Sequence, residues 1–212
     1  MRRWISNETT RSAVSTDSRL IAGATFLVVA FTLFAASIVS AAEPGFPGKV
    51  GTRWVYGAGK AEVIEEIVAI EEINDESCLK IETRIGETPL SFEHIAVRAD
   101  GLYRVTIGGE PVVPPLCFFR FAPRSGEKWK VKSTVGDVEV TGQYTAGTSL
   151  ITVPAGRFTV ISSRGQGFPP PNEKLDITCF YANGVGKVKQ VIANGPQQTE
   201  LVLKEFRPAS TP

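Results

Sequence analysis

A period of two limits the fold of this chain more than any other feature. "CLKIETRI", residues 78–85, sets Leu79, Ile81, Thr83 and Ile85 against Cys78, Lys80, Glu82 and Arg84, the alternation of a strand with one buried and one wet face. Turn compositions bracket it, "NDES" before and "GETP" after. The pattern recurs down the chain, with an Asp100-Gly101 hairpin signal in "RADGLY" and further turns in "STVGDVEV" and "IANGPQQ". About ten strands at this regular spacing predict an all-β fold, an antiparallel meander curled into a half-barrel or folded into a sandwich.

"AEVIEEIVAIEEI", residues 61–73, fits that scheme least well. Its apolar residues Val63, Ile64, Ile67, Val68 and Ile70 also match a helical stripe, and its glutamates favour helix locally. Strand signals on both sides and the short link to "CLKIETRI" make a β-hairpin the simpler construction, so a strand is expected.

The other constraint is N-terminal. Residues 20–42 carry no charge, four arginines precede them (Arg2, Arg3, Arg11, Arg19), and small residues Ser40-Ala41-Ala42 end the run. Positive charge, an apolar core and a small-residue site make a secretory signal peptide. The run is also long enough for an N-terminal hydrophobic helix to span a bilayer as an uncleaved anchor. Both fates export the rest of the chain, to the periplasm or cell exterior or held at a membrane by residues 20–42. The chain therefore divides into residues 1–42 as signal peptide or anchor, 43–48 as linker, 49–207 as the exported β-domain and 208–212 as a tail. With the N-terminal arginines set aside the remainder is close to neutral, without the basic footprint that nucleic-acid binding needs.

"ITVPAGRFTVISSRG", residues 151–165, tests three readings of one short motif. A phosphate loop needs converging glycines and a Lys or Ser/Thr at fixed offset before a helix, and "VPAGRF" has one glycine followed by β-branched residues. A nucleophile elbow needs serine between glycines, where this chain has Ala155. A turn fits: Pro154 fixes the first corner, Gly156 relieves the last, and Phe158, Val160 and Ile161 resume the strand.

"GTRWVYG", "RSGEKW", "VPAGRFTVI", "CFYANGVGKVKQV" and "TELVLKEF", in that order across residues 48–206, resemble the motif order of exported bacterial β-proteins grouped as domains of unknown function. Those families are similar in architecture to the half-barrels of lipoprotein carriers. The resemblance implies a curved antiparallel sheet that holds an apolar ligand on its concave face, and it implies no catalytic residue.

Residue chemistry points the same way. The single histidine, His94 in "LSFEHIAV", shares a strand face with Phe92 and Ala96, and no serine or acid is marked as its partner; it reads as structural. Adjacent carboxylates such as Glu65-Glu66 and Glu71-Glu72 point to opposite sides of a strand and read as solvated edges. Cys78, Cys117 and Cys179 lack the spacing of a zinc or redox motif and read as small buried residues, with one disulfide as the alternative. Trp54, Tyr56, Trp129, Phe158, Phe180 and Tyr181 read as core. In "PVVPPLCFFRFAP", residues 111–123, four prolines disfavour a central strand while the phenylalanines demand burial, which predicts an apolar loop covering something. Phe118 and Phe119 are its candidate ligand-binding residues, on the rim of a pocket. Phe168 in "GFPPPNEK" is a second aromatic in a proline-rich loop.

These residues predict a non-catalytic exported envelope protein that binds an apolar small molecule, a lipid or an envelope partner on the concave face of its sheet. No catalytic residue, metal site or cofactor is expected, nor a nucleic-acid partner, and membrane contact is expected only through the N-terminal segment. A structural or assembly role in the envelope is the alternative, and a hydrolase without recognisable motifs is third.

Overall fold

The computed structural model of the protein describes residues 45–168 and 175–210. The expected N-terminal helix and cleavage site, and the prolines that come after Phe168, lie outside them. Among the described residues no helix is long and apolar enough to cross a membrane.

Among the described residues twelve antiparallel strands succeed one another: β1 (Arg53–Ala58), β2 (Ala61–Ile73), β3 (Glu76–Ile85), β4 (Thr88–Arg98), β5 (Gly101–Ile107), β6 (Glu110–Arg120), β7 (Lys128–Val135), β8 (Val138–Val153), β9 (Gly156–Gln166), β10 (Leu175–Ala182), β11 (Gly186–Asn194) and β12 (Gln197–Arg207). Each pairs with its neighbours in sequence, and β1 pairs with β12 from Arg53–Arg207 to Gly57–Val202, so the sheet closes on itself. This corrects the expected count of about ten strands in a half-barrel or sandwich. The all-β meander stands, but closure comes from pairing the first strand with the last, which no local pattern announces.

β7 shows the alternation most cleanly: in "KWKVKSTV" Trp129, Val131 and Ser133 are buried between exposed Lys128, Lys130 and Lys132. β2 is a strand throughout, its inward face carried by Val63, Glu65 and Ile67 at a spacing of two. A bulge at Val68 then shifts the register, so that Ile70 rather than Ala69 pairs on the face of Leu79, three residues after Ile67, which accounts for the helix-like spacing of the apolar residues. The link to β3 is the two-residue turn Asn74-Asp75, both with positive φ, as the hairpin twist requires. Inside the barrel Trp129 stacks on Tyr144 (5.4 Å between centroids), and Phe168 packs against Tyr144 in turn.

The segment read as an apolar loop is the strand β6. Its prolines are tolerated because β6 pairs with β7 only through Val112–Val135 and Val113–Thr134 and with β5 only toward its two ends, which leaves Pro114 and Pro115 outside both ladders. A proline costs a ladder bond only where the partner strand offers one. Where β6 leaves β7, side chains take over its carbonyls: Ser133 Oγ donates to Pro114 O (2.8 Å), Trp129 Nε1 to Cys117 O (3.0 Å) and Ser163 Oγ to Phe118 O (2.6 Å). Gly101, at the start of β5, sits so close beneath β6 that a Cβ there would lie 2.1 Å from Phe119 O. Only glycine permits that approach.

β8 and β9 outrun their neighbours. β7 stops pairing with β8 at Thr145, and β10 stops pairing with β9 at Val160, so residues 147–159 project as a two-stranded arm. Pro154 and Ala155 form its tip, as the turn reading of "VPAGRF" requires, and Gly156 has a φ of 141°. The tip reaches past β10 and β11 to β12, where Ala155 N donates to Leu203 O (3.0 Å).

Candidate ligand cavity

In a meander the even strands end, and the odd strands begin, at one end of the barrel. At that end the segment before β1 folds in: Gly45 N donates to Asn183 Oδ1 (3.1 Å), Gly184 N donates to Gly45 O (3.0 Å), and Phe46 packs its ring on Trp54 (5.6 Å). Between this segment, the end of β6 and the inner face of the arm lies a cavity of about 280 Å³. Phe46, Phe119, Phe121, Ile161 and Tyr181 supply its apolar wall, and Thr148, Thr159 and Asn183 supply its polar groups. Phe119 is the pivot of the wall, 4.2 Å from Tyr181 and 5.9 Å from Phe121 between ring centroids.

The structure separates the two phenylalanines read together from sequence. Opposite Leu102 and Tyr103 the β5–β6 register shifts by a residue, which makes Phe118 the extra residue of a bulge. Phe119 therefore walls the cavity, while Phe118 turns into the barrel under the Arg104 guanidinium (4.4 Å). Both are buried, Phe119 to 5% exposure, so neither stands on an exposed rim.

Behind Phe46 and Tyr181, which both compartments share, the barrel interior is charged. Lys187 Nζ pairs with Glu65 (2.6 Å) and Arg104 Nε with Glu93 (2.7 Å), around a gap of about 30 Å³ that also meets Gln190 and Cys179. Glu65 is a correction to the sequence reading: it is no solvated edge but an inward residue, with its side chain 15% exposed against 13% for Lys187. The signal was present, since Glu65 sits between inward Val63 and Ile67. Burial opposes the Lys187 cation, but Glu65 outweighs it and the pKa is raised. Burial likewise opposes the Arg104 cation, and Glu93 holds its pKa up. Burial pushes the Tyr181 hydroxyl and the Cys179 thiol upward, and it pushes Tyr144 up to about 12. At neutral pH none of these groups is ionised as a nucleophile.

His94 lies on the opposite side of the sheet from Glu93 and Ile95. Its ring shares hydrogen bonds with Thr106 Oγ1 (2.6 Å) and Glu71 Oε2 (2.9 Å), and Glu71 also accepts from Lys80 (2.9 Å). The neutral tautomer protonated on Nε2 satisfies both contacts, donating to Glu71 and accepting from the Thr106 hydroxyl. Thr106 is itself buried. Cys78, Cys117 and Cys179 are buried free thiols. Among the described residues no group of three or more His, Cys, Asp or Glu is placed to hold a metal ion.

No protein-family model matches the chain, and no curated protein matches it. Among solved structures it is similar to a protein provisionally described as a lipoprotein of Parabacteroides distasonis, at 13% identity and a TM-score of 0.49, over 76% of this chain and 97% of that one. It is also similar to a Bacteroides fragilis protein provisionally described as exported and as having a YmcC-like fold, at 13% identity and a TM-score of 0.45, over 76% and 98%. The similarity to both is distant.

Proposed function

We propose that the barrel is a non-catalytic, exported binding protein of the cell envelope that takes a small apolar ligand in the cavity between its arm and its mouth. The observation that carries this reading is the cavity itself: concave, walled by four aromatic rings and an isoleucine, and open to solvent beside a few neutral polar groups, the usual make-up of a small-molecule site. Its volume fits about nine groups the size of a water or a methylene. At about 0.8 kcal/mol for each buried methylene the gross gain is about 7 kcal/mol, an affinity no tighter than about 10 μM before ordering costs are subtracted. Export rests on the uncharged run of residues 20–42 behind its arginines.

The test is a fluorescence titration with 1-aminonaphthalene, an apolar dye that is uncharged at neutral pH and, with ten ring carbons and one amine, is close to the size the cavity holds. Saturable binding at about ten to a few hundred micromolar dye is expected for the wild type, and loss of binding for Ile161→Trp, which fills the cavity from a half-buried wall position. A folded wild type that leaves the dye dark refutes the reading and moves the weight to a structural or assembly role. Hydrolysis of simple esters that disappears in His94→Ala would replace it with a hydrolase.

A further inference from the structure

The chemical character of the cavity wall narrows the ligand, on the assumption that the binding reading above is correct. Among the described residues twelve line the cavity, and none of these is Asp, Glu, Lys, Arg or His. The nearest charges of the interior compartment are committed elsewhere, Lys187 to Glu65 and Arg104 to Glu93, behind the shared wall of Phe46 and Tyr181. A carboxylate or ammonium head at the mouth would keep the water on its solvent side, give up the water that faces the Phe46 and Tyr181 wall, and meet no counter-charge in return, a loss that is smaller for a neutral head. The polar groups present are of another kind. Thr148 and Thr159 are exposed, on the face of the arm that also carries Ile161, and their hydroxyls make no hydrogen bond among the described residues. Asn183 uses its carbonyl oxygen for Gly45 N, and its amide N–H groups are free of partners among the described residues. Two hydroxyls and one amide match a head that both donates and accepts, such as a hydroxyl.

We infer that the cavity selects an uncharged, short-chain amphiphile, an aliphatic chain of about nine carbons or fewer with a hydroxyl-type head held at Thr148, Thr159 and Asn183, against the corresponding anion and cation. Fatty acids and alkylamines are disfavoured by the missing counter-charge rather than by shape.

The experiment displaces 1-aminonaphthalene from the wild-type barrel at neutral pH with octanol, octanoate and octylamine, which share one chain and differ in charge. Octanol is expected to displace the dye at a concentration at least tenfold below either ion. Thr148→Lys, at an exposed position that the fold does not need, should place a cation at the mouth and shift the octanoate-to-octanol ratio at least tenfold toward octanoate. Octanoate or octylamine equal to octanol on the wild type overturns the inference, as does a ratio that Thr148→Lys leaves unmoved. Dye that binds but yields to none of the three also overturns it while leaving the binding function in place. Dye that never binds refutes the binding function instead.

Discussion

Replacing Lys187 by methionine tests whether the charged interior stabilises the barrel as a matched pair. In the wild type Lys187 Nζ donates to Glu65 and to Gln190 Oε1 (3.0 Å) and lies 5.2 Å from the Tyr56 ring centroid. With side-chain exposures of 13% and 15%, solvent screens the pair only weakly. Lys187→Met leaves Glu65 buried without its cation, which costs about 3–5 kcal/mol. For a barrel of this size, at about 2–4 °C per kcal/mol, the midpoint of thermal unfolding should fall by about 6–20 °C. Adding Glu65→Leu removes the stranded charge and should return most of that loss, because apolar replacement of a whole buried pair is close to neutral. The raised pKa of Lys187 sets the direction of the pH effect. Its contribution is complete below the unfolded lysine value of about 10.4 and is lost as pH rises through the folded value, so the single variant should lose that part of the alkaline decline in stability. Circular dichroism melts of the three proteins measure all of this. A single variant as stable as the wild type, or a double variant less stable than the single, refutes the reasoning.

Gly156→Val should destabilise the protein by about 1 kcal/mol or more, through backbone strain at a φ of 141° rather than through a clash, since the nearest atom to an added Cβ is Phe158 Cζ at 3.5 Å; unchanged urea unfolding would show that the arm tip relaxes freely. Gly101→Ala forces a Cβ against Phe119 O and should cost about 3 kcal/mol or more while weakening dye binding through the displaced Phe119; full dye affinity would show that β6 moves without the cavity wall. Ser163→Ala removes the donor to Phe118 O in a buried site and should cost about 1–3 kcal/mol, with no loss in urea unfolding as the result against it. Hydrogen bonding to Arg98 lowers the Glu76 pKa against the opposing effect of burial, so the pair contributes above the ordinary carboxylate range and is lost as pH falls through the folded value. At this exposure that contribution is about 1 kcal/mol or less, and Arg98→Gln should flatten that part of the acid limb of stability against pH; an unchanged acid limb would show that the pair contributes nothing.

What could be read from sequence was what local physics controls. The alternation of Leu79 and Ile81 against Lys80 and Glu82 in "CLKIETRI" and the Asn74-Asp75 and Pro154-Ala155 turns each depend on a few adjacent residues, and the structure carries them, although Cys78 on the other face is buried and Ile85 is exposed. Barrel closure depends on Tyr56 meeting Leu203 across almost the whole domain, and the tolerance of proline in β6 depends on where β7 leaves it. Neither has a local trace. At the cavity, aromatic content pointed to Phe119, but the bulge that turns Phe118 away comes from the β5–β6 register, and Phe46 becomes a wall residue only because Gly45 is tied to the β10–β11 turn. Glu65 was legible in the sequence despite its reading as a solvated edge: the same alternation that places Val63 and Ile67 inward places it inward too.

The pairing of the first strand with the last also bears on how the chain is made. While it emerges in order, β1 keeps one edge of unpaired backbone groups through the synthesis of all ten strands after β2, and the tip of the arm waits as long for Leu203. Contacts this distant in sequence form slowly, and an open edge is a template for another chain. A product that stops short of Gln197 would keep two such edges, on β1 and β11, and would associate with its own copies instead of closing.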